Sequence, residues 1–118
     1  MSLLVKDANG ASQTIKTIGD VVAGEYETVA ASATAQVLGA TGAAGDFISH
    51  IVIVPASTSP GDVTLLDGST SIPVFVGGGS SIGDNKAFAI PLQMTSVNGA
   101  WKVTTGLNVS VIAVGNFT

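Results

Sequence analysis

The stretch "SHIVIVPASTSPGDVTLLDGSTSIPVFVGGG", residues 49–79, contains three short apolar runs separated by turn residues. Valine and isoleucine favour β-strands, whereas the Gly, Pro, Asp and Ser between the runs favour turns. From Asp46 onward, strand signals of this kind recur about every 8 to 12 residues, as they do in β-sandwiches and barrels. The sequence therefore predicts an all-β protein, a single β-sandwich for which jelly-roll connections are one option.

The strongest predicted strand is Phe47–Val54, in which apolar residues occupy both faces apart from Ser49 and His50. Such a pattern is typical of a central strand with both sides covered. The other strands predicted in this region are Val63–Leu66, Ile72–Val76, Ala87–Leu92, Trp101–Thr104 and Leu107–Val114.

Two prolines and one turn pair constrain how these strands are arranged. Pro73 and Pro91 interrupt strand-like runs. Because proline lacks the N–H that a β-ladder needs, we expect edge strands or bulges at both positions. Asn98-Gly99 is a favoured turn pair, which predicts a hairpin-type turn before Trp101.

The N-terminal stretch "LLVKDANGASQTIKTIG" has two β-prone segments, Leu3–Lys6 and Gln13–Ile18, around the turn pair Asn9-Gly10. We expect an N-terminal β-hairpin or arm over residues 1–24. Two strands alone are marginal in water, so the apolar side chains of this hairpin need another surface. The residues predicted to contact a capsid or a neighbouring subunit are Leu3, Leu4, Val5, Ile15 and Ile18.

Residues 25–45 are rich in Ala and Gly and show no sustained apolar spacing of either period. They predict a linker or edge segment with one strand near Thr34–Leu38. A short helix over Val29–Leu38 is the alternative, because alanine favours it, although Thr and Ser within the segment weaken that preference. The sandwich body is then expected over residues 46–118.

The composition excludes several classes of function. The chain has 118 residues and no cysteine, which excludes disulfides, thiolate catalysis and cysteine zinc sites. Its four lysines are scattered among eight acids, and the net charge is -4, so we expect no nucleic-acid partner. The apolar runs fall short of the roughly 20 residues of a membrane helix, and the N-terminus lacks the apolar region of a signal peptide. We expect synthesis in the cytoplasm and no membrane partner.

The sequence offers little catalytic chemistry. His50 is the single histidine, it lies within a predicted strand, and no GxSxG motif accompanies it. In "GGGSSIGDNK", Gly78 and Gly83 have phosphate-loop spacing, but Asp84 stands where the lysine belongs. Asp62, Asp67 and Asp84 lie in turns without the spacing of a calcium loop, so we expect them to bind nearby backbone groups. The sequence predicts no enzyme, no cofactor and no metal.

The stretches "LLVKDANGASQTI" and "NGAWKVTTGLNVSVIAVGNFT" resemble segments of small virion proteins of tailed bacteriophages. From about Ala31 to the end, the chain resembles small β-rich phage proteins. The best fit is to head decoration (cement) proteins, a resemblance that implies a compact, often jelly-roll-like fold and binding to an assembled capsid as an oligomer. Tail, collar and fibre components share this composition, so the location on the particle stays open.

Two functions are compatible with these expectations. The first is a structural virion protein on the outer capsid surface, whose partners are the major capsid protein and further copies of itself, as a trimer or dimer. The alternative is a phage surface or tail module that binds a host glycan or receptor. A glycan site needs exposed aromatic side chains, and the sequence offers Trp101, Tyr26 and four phenylalanines.

Overall fold

A computed structural model describes residues 2–6, 12–16, 24–56, 59–78 and 86–118, with side chains from Gly24 onward. Within these ranges the protein is all-β, with ten strands. The strands are β1 (Ser2–Lys6), β2 (Ser12–Lys16), β3 (Glu25–Val29), β4 (Gln36–Val37), β5 (Phe47–Pro55), β6 (Val63–Asp67), β7 (Thr70–Phe75), β8 (Phe88–Thr95), β9 (Trp101–Thr105) and β10 (Val109–Asn116).

Eight of these strands form two antiparallel four-stranded sheets, in the orders β3-β10-β5-β8 and β4-β9-β6-β7. Residues from both sheets meet in one hydrophobic core. The predicted all-β sandwich is therefore confirmed. The core contains Val29, Leu38, Ile48, Ile51, Ile53, Val63, Leu65, Phe75, Trp101, Val103, Val109, Val111, Ala113 and Phe117.

The strand pairs join distant parts of the chain. β3 pairs with β10, β4 with β9, β5 with β8, and β6 with β7. Only β6 and β7 are consecutive in the chain, so each other connection between successive strands of the sandwich passes from one sheet to the other. The predicted hairpin at Asn98-Gly99 is therefore wrong, because this turn joins β8 of the first sheet to β9 of the second.

Strict alternation of buried and half-buried residues explains how β6, β9 and β10 form two packed layers. Every second residue of β10 is buried, from Val109 to Gly115, and β6 and β9 follow the same pattern. Successive side chains of a strand point to opposite faces, so one face of each strand lines the core. Each buried Val or Ile contributes about 1.5 to 3 kcal/mol relative to exposure.

β5 lies between β10 and β8, as predicted for a central strand, but it is not covered on both sides. Ile51 and Ile53 are fully buried, whereas His50, Val52 and Val54 are only half-buried. The reason is that a two-layer sandwich has no third layer over this sheet. The apolar residues on the outer side of β5 therefore remain accessible.

The proline prediction is confirmed at both positions. Pro73 lies in β7 and Pro91 in β8, and each is the edge strand of its sheet. A register shift occurs beside each proline, between Val63 and Thr64 for the first and between Ile48 and His50 for the second. An edge strand tolerates proline because its outer side needs no ladder hydrogen bond.

Residues 25–45 form two edge strands, β3 and β4. The strand predicted near Thr34–Leu38 is present over Gln36–Val37, and the alternative helix over Val29–Leu38 is wrong. Val29 and Leu38 are both fully buried in the core, and burial against the two sheets outweighs the helical preference of the alanines between them.

Candidate assembly surface

The outer side of the first sheet carries no acid, lysine or arginine. Register places its outward residues in rows across the strands; Tyr26, Val114, His50 and Pro91 form one such row. We call this surface the uncharged face. Its members are Tyr26, Thr28, Phe47, His50, Val52, Val54, Ala89, Pro91, Thr95, Ser110, Ile112, Val114 and Asn116.

The acids of β3 lie off this face because of the same alternation. Glu27 pairs with Ala113, which is buried in the core, so the Glu27 side chain turns toward the second sheet. There its carboxylate accepts hydrogen bonds from Gly39 N, over 2.8 Å, and Gln36 Nε2, over 3.1 Å. The polar side of β3 thus closes the margin of the sandwich and leaves Tyr26 and Thr28 on the outside.

The outer side of the second sheet is more polar. Lys102 lies opposite both Leu66 and Val37, and Thr104 lies opposite Thr64. The Thr104 hydroxyl also accepts a hydrogen bond from Ala35 N over 2.9 Å. The two outer sides therefore differ in chemistry, and only the first is an uninterrupted surface without charge.

The uncharged face is large enough to matter for association. Strands about 4.8 Å apart that rise about 3.3 Å per residue give an area of roughly 300 to 400 Å2 between Ser110 and Asn116. Patches of about this size are the largest that ordinary monomers expose, and they are often functional. Tyr26 is 73% exposed at the margin of the face. Large amphipathic aromatic residues of this kind are enriched in protein interfaces.

His50 belongs to this face and sits beside a bulge. Ser49 is the extra residue of β5 relative to β10, and Leu92 and Gln93 together lie opposite it in β8. Gln93 adopts a φ of 53°, in the left-handed region, and its Nε2 donates to Ser49 Oγ over 3.1 Å. Ser49 Oγ is also 3.1 Å from His50 Nδ1.

The contact between Ser49 and His50 is part of this β-bulge. Ser49 is only 5% exposed, so its hydroxyl has little access to a substrate. The bonds to Gln93 satisfy the polar groups that the bulge would otherwise leave unpaired. The cluster therefore fixes the orientation of His50 on the uncharged face.

The aspartates singled out in the sequence bind backbone groups, but across the fold rather than within their own turns. Asp67 accepts hydrogen bonds from Val97 N and Asn98 N in the segment that joins the sheets. Asp62 accepts from Gly77 N over 2.8 Å. Asp84 lies outside the described residues. Across the ranges given above, no group of three or more His, Asp or Glu side chains is placed to hold a metal ion.

An acid that the sequence did not indicate organises one end of the sandwich. The Asp46 carboxylate accepts hydrogen bonds from Thr118 N, Thr118 Oγ1 and Ala43 N. Burial by itself raises the pKa of this carboxyl, but these three bonds outweigh burial and hold the pKa below its ordinary value of 3.8. The one sequence signal was its position after Gly45 and directly before the strongest strand.

An open pocket of about 600 Å3 lies beside Asp46, between Glu25, Asn116 and Phe117. Glu25 Oε1 accepts a long hydrogen bond, 3.4 Å, from Phe117 N. Both acids thus bind the two residues that follow β10, Phe117 and Thr118. The pocket, with Glu25 and Asp46, lies at the end of the uncharged face that Phe47 and Asn116 form.

Trp101 is a core residue. It is 2% exposed, so it is not accessible for stacking against a sugar ring. Its Nε1 donates to Asp46 O over 2.8 Å, which satisfies the polar atom of the indole inside the core. Tyr26 is the most exposed aromatic residue among those that the structure describes.

The N-terminal residues predicted to make contacts lie mostly in the hairpin of β1 and β2. Its register pairs Leu3 with Ile15 and Leu4 with Thr14, and places Val5 opposite Gln13. Ile18 and the turn pair Asn9-Gly10 lie outside the described residues. Neither strand of this hairpin joins one of the four-stranded sheets.

Among the described residues, no helix is long and apolar enough to cross a bilayer.

Comparisons with known proteins identified no relative of this chain. No protein-family model, curated protein or solved structure matched this chain.

Proposed function

We propose that this chain is a structural virion protein that decorates and stabilises a bacteriophage capsid through protein contacts. Its partners are the major capsid protein and other copies of itself, and it acts on the outer capsid surface. The observation that carries this proposal is the uncharged face, a largely apolar surface without acids, lysines or arginines on one side of the sandwich.

The chemistry of this face supports contact as the mode of action. Interface cores are depleted in charged residues and enriched in aromatic residues, and the face has both properties. The net charge of -4 lies elsewhere on the chain, which keeps the free protein soluble without placing repulsive charges in the contact.

We infer further that the sandwich is a jelly roll. In such a fold the chain forms one long antiparallel hairpin that is wound into two sheets. The first strand therefore pairs with the last, the second strand with the second-last, and so on toward the middle of the chain. The pairs β3–β10, β4–β9, β5–β8 and β6–β7 support this inference. Jelly rolls occur in viral capsid proteins and in lectins, so this fold is compatible with both functions and does not distinguish them.

The glycan-binding alternative has weaker support. Sugar sites stack a ring on exposed aromatic side chains beside polar partners. With Trp101 in the core, Tyr26 is the aromatic residue best placed for this role, and its neighbours across the sheet, Val114 and His50, offer few hydrogen-bonding groups.

The test is cosedimentation with empty capsids assembled from the major capsid protein encoded in the same genome. Wild-type protein should sediment with the capsids, and Val52→Asp should lose at least tenfold in affinity, because a carboxylate on the uncharged face would disrupt the protein contacts, with the capsid or with a second copy, on which decoration depends. Leu66→Asp is the matched control, since Leu66 is likewise half-buried on the outer side of the second sheet.

The opposite results would overturn the proposal. They are no wild-type binding to capsids, or equal loss in both variants. Glycan-array binding by wild-type protein that Tyr26→Ala abolishes would establish the alternative.

A further inference from the structure

No residue of the described sandwich, from Gly24 onward, covers the uncharged face. Tyr26 remains 73% exposed, and His50, Val52, Ile112 and Val114 stay half-buried when the whole chain is present. The face is therefore available to an element from outside the sandwich.

The same chain contains a two-stranded element that belongs to neither four-stranded sheet. β1 and β2 pair only with each other, and isolated two-stranded ribbons are marginal in water without a surface to pack against. The sequence of the ribbon, "SLLVK" and "SQTIK", supplies apolar residues for such a contact.

We propose that the β1–β2 hairpin of one copy packs on the uncharged face of a second copy, and that two copies exchange hairpins reciprocally. The two surfaces are complementary, because the hairpin needs an apolar surface to pack against and the face is largely apolar. A five-residue ribbon extends about 17 Å, which matches the roughly 20 Å length of the face along its strands.

The connection permits the exchange. Residues 17–24 link the hairpin to β3, the edge strand that carries Tyr26. A segment of this length spans up to about 27 Å, which exceeds the roughly 14 Å width of the four-stranded sheet. The hairpin can therefore pass beyond the margin of its own subunit.

The charges on the hairpin strands and on the sandwich are opposite in sign. The hairpin strands carry Lys6 and Lys16 and no acid, whereas residues 25–118 carry six acids and two lysines, a net of -4. Glu25 and Asp46 lie at one end of the face, beside the pocket. Exposed ion pairs contribute little energy, and the Glu25 and Asp46 carboxylates already bind Phe117 and Thr118, so apolar burial supplies the affinity.

Area favours a dimer over a trimer. One ribbon on one face buries a few hundred Å2 per partner, short of the roughly 1,200 Å2 in total of a specific interface. When two copies exchange hairpins reciprocally, the single interface of the dimer contains two such contacts. In a cyclic trimer, each interface contains only one.

The first test measures the mass of the full-length protein in solution by light scattering. The wild type should have twice the chain mass of 11.6 kDa at micromolar concentration. Val52→Asp on the face and Ile15→Asp in the hairpin should each shift the protein to monomer, and Leu66→Asp should leave the dimer intact. A monomeric wild type, or a dimer that survives both variants, overturns the proposal.

The second test locates the contact by cross-linking, which is specific because the chain has no cysteine. Two differently tagged chains, one carrying Gln13→Cys and the other Thr28→Cys, should form a mixed product with a short bismaleimide. The same reaction with Ser71→Cys on the second sheet is the control. No mixed product, or an equal yield with the control, overturns the proposal.

A doubly substituted chain, with Gln13→Cys and Thr28→Cys together, tests whether the hairpin stays within its own subunit. Cross-linking confined to single chains would overturn the exchange. None of these three experiments uses capsids, so a dimer that fails to bind capsids contradicts the proposed function alone, and a capsid-binding monomer contradicts the exchange alone.

Discussion

The indole Nε1 of Trp101 donates a hydrogen bond to the main-chain oxygen of Asp46 over 2.8 Å, and so joins β9 of the second sheet to the segment that enters the first. The carboxylate of the same aspartate binds Thr118. Asp46 therefore ties the central strand β5, the core tryptophan and the segment after β10 together at one end of the sandwich.

Trp101→Phe should destabilise the protein by about 2 to 4 kcal/mol, because it leaves a cavity in the core and removes a buried hydrogen bond. Urea unfolding followed by circular dichroism measures the change. Tyr26→Phe is the matched control at an exposed aromatic position, and its effect on the free energy of unfolding should stay within about 0.5 kcal/mol. Equal effects of the two changes would contradict the structural role of Trp101.

Asp46 makes stability depend on pH in the acid range. Its pKa in the folded protein is below the ordinary value of 3.8, so the unfolded chain takes up the proton first as the pH falls. The stabilisation is fully present at neutral pH and is lost as the pH falls through 3.8 and the folded-state pKa. Thermal melting of the wild type between pH 6 and about 2 should show this decline.

Asp46→Asn isolates that contribution. The variant should be less stable than wild type at pH 6, since an amide accepts the hydrogen bonds of Thr118 and Ala43 less strongly than a carboxylate does. The difference between the two proteins should shrink toward pH 2. A constant difference across this range would mean that the carboxylate charge has no role.

Gly115 is required by the close packing of β10 against β5. A Cβ at this position would lie 2.1 Å from Phe47 O and 2.8 Å from Phe117 Cζ. Gly115→Ala should therefore destabilise the protein by at least about 2 kcal/mol, in the range of overpacked cores. Gly45→Ala is the comparison, because Gly45 has a φ of 94° but open space around its Cβ position. It should cost about 1 to 2 kcal/mol through backbone strain alone.

His50→Gln tests whether the histidine has any role beyond its place on the uncharged face. We expect the dimer and capsid binding to change less than threefold, since glutamine is uncharged and of similar size. The measurement is the dimer dissociation constant by sedimentation. A loss of tenfold or more would show that the imidazole itself makes an essential contact.

The sequence predicted the elements whose pattern is local. Long apolar runs marked β5, and the prolines marked β7 and β8 as edge strands, because a missing N–H has the same consequence in any fold. β3 was missed, since "EYETV" alternates between a core-facing Glu27, satisfied by Gly39 and Gln36, and an exposed Tyr26. Its identity as a strand depends on β10, which lies far along the chain.

The uncharged face was not predictable for the same reason. Its residues come from four strands that are separated in sequence, and they become neighbours only through the register of β3, β10, β5 and β8. The role of Asp46 likewise depends on Thr118, 72 residues later. A pattern within a short window carries no information about such pairs.

Removal of residues 1–24 should leave the sandwich folded, because no strand of either four-stranded sheet begins before Glu25. We expect the melting temperature to fall by less than about 5 °C, which corresponds to roughly 1 kcal/mol for a domain of this size. Removal of residues 1–30 is the comparison. It deletes β3, exposes the edge of β10 and removes fully buried Val29, so it should destabilise the protein by several kcal/mol. If both truncations melt alike, β3 contributes nothing to the fold; if the shorter truncation also unfolds, the hairpin is part of the core rather than an element held by a neighbour.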